Sequence, residues 1–230
     1  MRTLSLYSTL EKKPKIMSTF EKIVDKITFY RDHSVLVFAS AAQSDGGAVV
    51  AAECAKVLAR RGKNVLLIDT NLRRTTEDEE TGIGLSEYLA GKAQWGDIFC
   101  QTDCPRLYAI TCGQTPPNPT DLLSANAFGA LLSGARSTFD YVILSTSPLE
   151  SYIDGALVAV RCDGAILVLS SKRTSEKNAK EAKRLLKKSG CKILGAVLNT
   201  TGIAELEPAP EKPADEKPKK KNTEVFEDEE

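Results

Sequence analysis

Six apolar runs punctuate the first two hundred residues: Val35–Ala39, Val65–Ile68, Leu107–Thr111, Tyr141–Leu144, Ala165–Leu169 and Ile193–Leu198. Most are continuous rather than alternating, the pattern expected of strands covered on both faces. Between several of them the spacing turns helical. Residues 18–30 place Phe20, Ile23, Val24 and Ile27 on one face, with Ser18 or Thr19 as the expected cap. Residues 48–61 are alanine-rich, and residues 120–138 carry Leu122, Leu123, Phe128, Leu131 and Leu132. A fourth helix is expected over 174–189, capped by Thr174, supported by a Glu176–Lys180 pair and stopped at Gly190. Strands alternating with helices predict an α/β, doubly wound, mainly parallel sheet with helices on both faces.

The ends differ from the middle. Residues 1–17 are polar and irregular, and read as a flexible segment. The folded domain is expected over 18–203. From about residue 204 the chain turns to Pro, Lys and Glu with almost no apolar residues, which predicts a disordered charged tail whose removal leaves folding unchanged. Within it, Lys217 to Lys221 is followed by Glu-Asp-Glu-Glu, so a solubilising role outweighs a membrane or nucleic-acid patch.

Composition removes several classes of function. Lysine plus arginine equals aspartate plus glutamate, 31 each, so global charge gives no reason to expect nucleic acid. One histidine, His33, makes a zinc site or a histidine-based triad a poor reading. The six cysteines form no Cys-x-x-Cys pair and read as free thiols of a cytosolic protein, with Cys100 and Cys104 expected in a loop. No apolar run has the length of a membrane span, and no signal-peptide core is visible, so membrane association is expected only through a partner.

The most informative segment is Ser40-Ala-Ala-Gln-Ser-Asp-Gly-Gly-Ala-Val49, lying between the first apolar run and the alanine-rich helix. A strand, a glycine loop and a helix N-terminus make the phosphate cradle of P-loop proteins, which also needs Gly-Lys-Ser/Thr at its end. Here the lysine and hydroxyl positions are Gly47 and Ala48. Backbone N–H groups at Gly46 and Gly47 could still attract an anion, but Asp45 leaves the loop locally negative. A glycine turn feeding a helix is therefore preferred over a working nucleotide site, and no metal or cofactor is expected. ATP with Mg²⁺ enters only if the degenerate loop still binds.

Several further segments carry a resemblance. Val65-Leu-Leu-Ile-Asp-Thr-Asn-Leu-Arg-Arg74, Gly84-Leu-Ser-Glu-Tyr-Leu-Ala-Gly91 and Gly113-Gln-Thr-Pro-Pro-Asn-Pro-Thr-Asp-Leu-Leu123 are similar to the bacterial tyrosine kinases of the CpsD/CapB type, which serve capsule and exopolysaccharide export. Phe139 to Pro148 sits where that family has its Walker B strand, and Asp154, Asp163-Gly164, Thr174 and Gly195–Asn199 follow in order. The resemblance spans roughly residues 18–199 and implies the P-loop NTPase fold. The departures fall on catalytic positions. Besides Gly47 and Ala48, the second aspartate of the A′ motif is Asn71 although Asp69 remains, and the Walker B aspartate is Ser145. The family's N-terminal Glu-x-x-Arg-x-x-Arg motif and its tyrosine-rich tail are missing.

The resemblance thus implies a catalytically inactive relative, docking on the cytoplasmic tail of a membrane polysaccharide co-polymerase (a chain-length regulator) or on an active kinase paralogue. Its expected location is cytoplasmic, with recruitment to the inner face of the plasma membrane. Two alternatives stay open: an active ATP-binding tyrosine kinase with unusual ligands, and a relative of the ParA/MinD partitioning and division ATPases. Asp45, Gly46, Gly47, Ala48, Asp69 and Ser145 line the degenerate pocket. The resemblance places Asp69 near the kinases' metal and acceptor hydroxyl, and it reads equally as a loop cap or an ion-pair partner of Arg73 or Arg74. Those two arginines read as exposed loop cations and as candidates for partner binding, so reversing their charge is expected to leave the fold intact. Thr120 is expected to cap the helix after the Pro116–Pro119 turn.

Overall fold

A computed structural model describes residues 2–4, 6, 13–30, 32–43, 45–73 and 82–200. Eight strands form one sheet: β1 (Arg2–Leu4), β2 (Val35–Ser40), β3 (Val65–Asp69), β4 (Phe99–Thr102), β5 (Leu107–Ile110), β6 (Tyr141–Ser145), β7 (Gly164–Ser170) and β8 (Ile193–Asn199). Their order across the sheet is β1-β4-β5-β3-β6-β2-β7-β8. Pairing is parallel throughout except between β4 and β5. Every residue of β2 is buried, which is why this strand reads as an unbroken apolar run. Burying side chains such as Leu36 and Phe38 contributes roughly 1.5–3 kcal/mol each.

Helices cover both faces. On one lie α1 (Pro14–Phe29) and α2 (Gly47–Arg60), packing Phe20, Val24, Ile27, Val50 and Leu58 against Leu36, Phe38 and Val168. On the other lie α3 (Leu85–Leu89), α4 (Pro119–Ser124), α5 (Asn126–Thr138), α6 (Asp154–Ala159) and α7 (Glu176–Lys188), with Phe128, Leu131, Leu132, Val158 and Leu186 over Val37, Leu66 and Leu144. The doubly wound sheet is thus the architecture that the alternating runs predict. No helix among the described residues is long and apolar enough to cross a membrane.

The differences have local causes. Within the segment expected to be irregular, Arg2–Leu4 adds to β4 as an outer parallel strand, and Leu6 donates its backbone N–H to Asp103. Helix α1 begins at Pro14, four residues before the expected start. Proline suits a first turn, where an N–H has no partner to lose. Ser18 and Thr19 are therefore inside the helix, bonding back to the Lys15 carbonyl. The helix expected over 120–138 is two, because Ala125 is extended (ψ 154°), and Arg161 donates to the Ser124 carbonyl at 2.6 Å. Cys100 lies in β4 rather than a loop. The charged tail expected from residue 204 falls outside the described residues.

Two of the family-like segments owe their pairing to close backbone contact. Leu85 and Ser86 donate N–H groups to the carbonyls of Thr111 and Cys112. A Cβ at Gly84 would lie 2.4 Å from the Gly113 nitrogen, so only glycine fits there. Glu87 then accepts from the Gly84 and Gln114 N–H groups, tying Gly84–Gly91 to Gly113–Leu123.

Candidate functional site: a glycine loop closed by its own side chains

The carboxyl ends of β2, β3, β6 and β7 meet the N-terminus of α2, the edge where open α/β sheets place ligands. Gly46 enters α2 in the left-handed conformation (φ 86°), which glycine adopts without strain. The backbone path of a phosphate loop is therefore present. Three of its donors are spent inside the chain. The Gly47 N–H bonds to the Ser40 hydroxyl at 3.1 Å. The Gln43 N–H bonds to Glu150 at 2.7 Å, and Glu150 also accepts from Asn178 at 2.6 Å. The Ala42 N–H bonds to the Asp45 carboxylate at 2.7 Å.

Asp45 does not make the loop mouth negative, contrary to the expectation from sequence. Its side chain is fully buried and accepts from the Thr174 hydroxyl at 2.7 Å and the Ser170 N–H at 3.2 Å, besides Ala42. Burial pushes its carboxyl up, against the pull of the Thr174, Ala42 and Ser170 hydrogen bonds, and nearby Glu150 adds to the rise. Asn199 at the end of β8 donates to the Asp45 carbonyl at 3.1 Å. Asp45, Thr174 and Asn199 thus staple the loop to β7 and β8. Thr174 is engaged here, and it is Ser175 that caps α7 through the Asn178 N–H.

Asp69 closes β3, and Ser145 closes the neighbouring β6 in register with it. The Ser145 hydroxyl donates to Asp69 at 3.1 Å, and the Asn71 N–H donates to the same oxygen at 3.0 Å. These two bonds make Asp69 a cap for the loop that follows β3. Arg73 turns elsewhere: its guanidinium donates to the buried Asp154 at 2.6 and 3.3 Å and to the Thr120 hydroxyl at 3.1 Å. The Tyr152 ring lies 3.9 Å from it. The Asp154 hydrogen bond holds the Arg73 pKa above its ordinary value. Arg73 is thus not a solvated loop cation, and Thr120 serves this cluster, while Asn118 occupies the N-cap position of α4. Arg74 lies outside the described residues.

A bound Mg–nucleotide does not fit these residues. Position 47 has no amine, position 48 has no hydroxyl, Ser145 brings no carboxylate, and the Gly47 N–H already has an acceptor. Among the described residues no three His, Cys, Asp or Glu side chains converge into a metal-holding group. The cysteines lie elsewhere as thiols, with burial raising Cys54 and Cys162 and bringing Cys191 to about 11. Ser40 and Glu150 went unpredicted as site residues, since a serine ending a strand and a glutamate in a turn carry no signal of their own. Ser147, buried with an unpartnered hydroxyl, sits two residues beyond Ser145.

No protein-family model matches the chain. The tyrosine-protein kinase CpsD of Streptococcus agalactiae is 34% identical over 198 residues, covering 84% of this chain and 86% of that protein. The solved kinase domain of the Escherichia coli tyrosine kinase ETK superposes with a TM-score of 0.77 at 26% identity, over 86% of this chain and 88% of that one. The septum site-determining protein MinD of Pyrococcus horikoshii, solved with Mg-ADP, shares the fold alone, with a TM-score of 0.60 at 21% identity over 74% of this chain and 71% of that one.

Proposed function

Because the chain belongs to the bacterial tyrosine-protein kinase family typified by CpsD, we propose that it is a member kept for binding rather than phosphoryl transfer. One observation carries this reading: the Gly47 N–H is committed to Ser40 within a loop that lacks the lysine. Each charge-assisted hydrogen bond to a phosphate is worth about 1.5–3 kcal/mol. Losing the lysine amine, the Mg²⁺-directed hydroxyl and the second carboxylate together removes most of the affinity that holds a triphosphate, and with it the electrostatic stabilisation on which phosphoryl transfer depends.

The partner under this reading is the cytoplasmic tail of a membrane polysaccharide co-polymerase, or an active kinase paralogue. Docking takes place on the rim of the degenerate site, with the protein cytoplasmic and drawn to the membrane by its partner. The rim offers Tyr152 and Ile153, exposed by 40% and 56%, beside the Arg73–Asp154 cluster. Arg73 supports this surface by holding its shape, and Arg74 stays a candidate contact. Lower likeness to MinD than to ETK favours the kinase branch over a partitioning ATPase.

A calorimetric titration with Mg-ATP tests the first half, with no heat of binding expected at cellular nucleotide concentrations. Micromolar affinity would replace this reading with that of an active kinase using unusual ligands. Co-purification with the co-polymerase or the paralogue tests the second half. Ile153→Asp is expected to abolish it with the fold intact, and retained co-purification would remove this rim from consideration.

A further inference from the structure

At the opposite, amino-terminal edge of the sheet the chain forms a second concave surface. Trp95, Phe99, Tyr108 and Phe139 line an open groove of about 530 Å³, with Asn64 at one side. Trp95 meets Phe99 edge-on at 4.8 Å, Phe99 stacks on Phe139 at 6.1 Å, and Tyr108 meets Phe139 edge-on at 5.7 Å. All four rings are partly buried, packed against the core with some surface left open to solvent. Asp97 and Asp140, each next in sequence to groove-lining residues, are exposed; Asp97 accepts from the Gln94 N–H at 2.8 Å, and Asp140 accepts from the Asn64 N–H at 2.7 Å and pairs with Lys63 at 3.8 Å. Walls of spaced aromatic rings with carboxylates beside them suit a proline-rich segment, whose preset backbone costs little entropy to order.

The chain carries such a segment. Residues 208–213 read Pro-Ala-Pro-Glu-Lys-Pro, with Pro210 and Pro213 spaced as Pro-x-x-Pro and Lys212 between them to meet Asp97 or Asp140. We propose that residues 208–213 of one copy dock in the aromatic groove of a second copy. The sheet order argues for the second copy. Strand β8, which leads to this segment, lies five strand spacings from β5, about 24 Å across the sheet. The groove is also at the far end of the strands, roughly 20 Å further along. About ten residues separate β8 from Pro210, and fully extended they span at most about 36 Å. A path around the molecule to its own groove therefore demands a nearly straight chain, whereas a neighbour's groove sets no such limit.

Trp95 is the chain's single tryptophan, so its emission reports on this groove alone. The full-length chain is compared with full-length Pro208→Ala/Pro210→Ala/Pro213→Ala over a range of concentrations. The wild type is expected to show a concentration-dependent blue shift of Trp95 emission, with dimers or larger species in sedimentation, and the variant neither. A synthetic peptide of residues 205–216 added to the variant is expected to restore the shift, and the same peptide with alanine at 208, 210 and 213 is not. Identical emission of both chains at every concentration, with no response to the peptide, overturns the proposal. A difference that does not depend on concentration overturns the second-copy assignment. Neither result bears on nucleotide binding at the other edge, so this inference fails or stands independently of the function proposed above.

Discussion

Ser145 donates its hydroxyl to the Asp69 carboxylate over 3.1 Å, from the ends of two strands paired in register. A carboxylate at position 145 would face Asp69 at that distance, and two such groups side by side resist joint ionisation unless a cation lies between them. With serine in its place the pair is satisfied internally, and no metal is needed to hold the two strand ends together. The same economy recurs at Gly47 and Ser40, and at Gln43 and Glu150.

Restoring a lysine at position 47 is expected to meet Ser40 first. A Cβ there would lie 2.3 Å from the Ser40 hydroxyl oxygen. Gly47→Lys alone should cost about 1–3 kcal/mol of stability, as other overpacked sites do. Adding Ser40→Ala should recover most of it. Recovery of Mg-ATP binding should therefore require Ser40→Ala together with Gly47→Lys, Ala48→Ser and Ser145→Asp. An unchanged melting midpoint for the single variant would show that the loop yields freely.

Arg73→Glu is expected to destabilise the domain rather than leave it untouched. Asp154 is buried, and removing the guanidinium strands its charge at a cost of about 3 kcal/mol. Combining Arg73→Glu with Asp154→Asn should recover part of the loss. Urea unfolding measures both, and a cost below about 0.5 kcal/mol would place the pair among ordinary surface ion pairs.

Glu53 and Lys56 lie on α2 with their side chains 1% and 2% exposed and 3.1 Å apart, and Lys56 also donates to the Leu6 carbonyl. One Glu53 oxygen has no hydrogen-bond partner. Lys56→Met should cost about 3–5 kcal/mol by leaving the carboxylate unpaired. The double variant Glu53→Met/Lys56→Met should be less damaging than Lys56→Met alone. Equilibrium unfolding of the three chains tests this, and a strictly additive result would contradict it.

Acid stability should depend on Asp163. Arg136 grips this carboxylate with two bonds of 2.7 Å, and the Ser34 and Val35 N–H groups bond to it as well. Burial works to raise its pKa, but these bonds outweigh burial and hold it below the ordinary aspartate value. A depressed folded value contributes stability that is present above the unfolded value and is lost as pH falls through the folded one. Asp163→Asn should therefore cost about 2 kcal/mol at neutral pH, a figure kept modest because Arg136 is partly exposed. The gap between variant and wild type should close below about pH 4. A gap that stays constant down to strongly acid pH would assign the loss to packing.

Much of the fold was legible because its strands are buried on both faces. Val35–Ser40 and Val65–Asp69 leave continuous apolar runs that need no knowledge of their neighbours. Strands β1 and β4 were not. Arg2–Leu4 is three residues long, and Phe99–Thr102 buries only Cys100 fully, so neither has a pattern to read. Family membership was legible for a related reason. The Gly84 and Gly113 segments touch backbone to backbone, and that contact restricts which residues each can carry.

The sequence by itself determined the sheet, the family and the loss of an amine, a hydroxyl and a carboxylate from the phosphate loop and metal positions, because these depend on local pattern and residue identity. Only the tertiary structure decided what the remaining charges do. Asp45 meets Thr174 129 residues away, and Arg73 meets Asp154 81 residues away. A carboxylate written beside a glycine loop reads as negative charge at its mouth, yet folding turns it inward to three donors. Burial makes an unpaired charge costly, so partners brought together from distant parts of the chain outweigh anything its neighbours in sequence suggest.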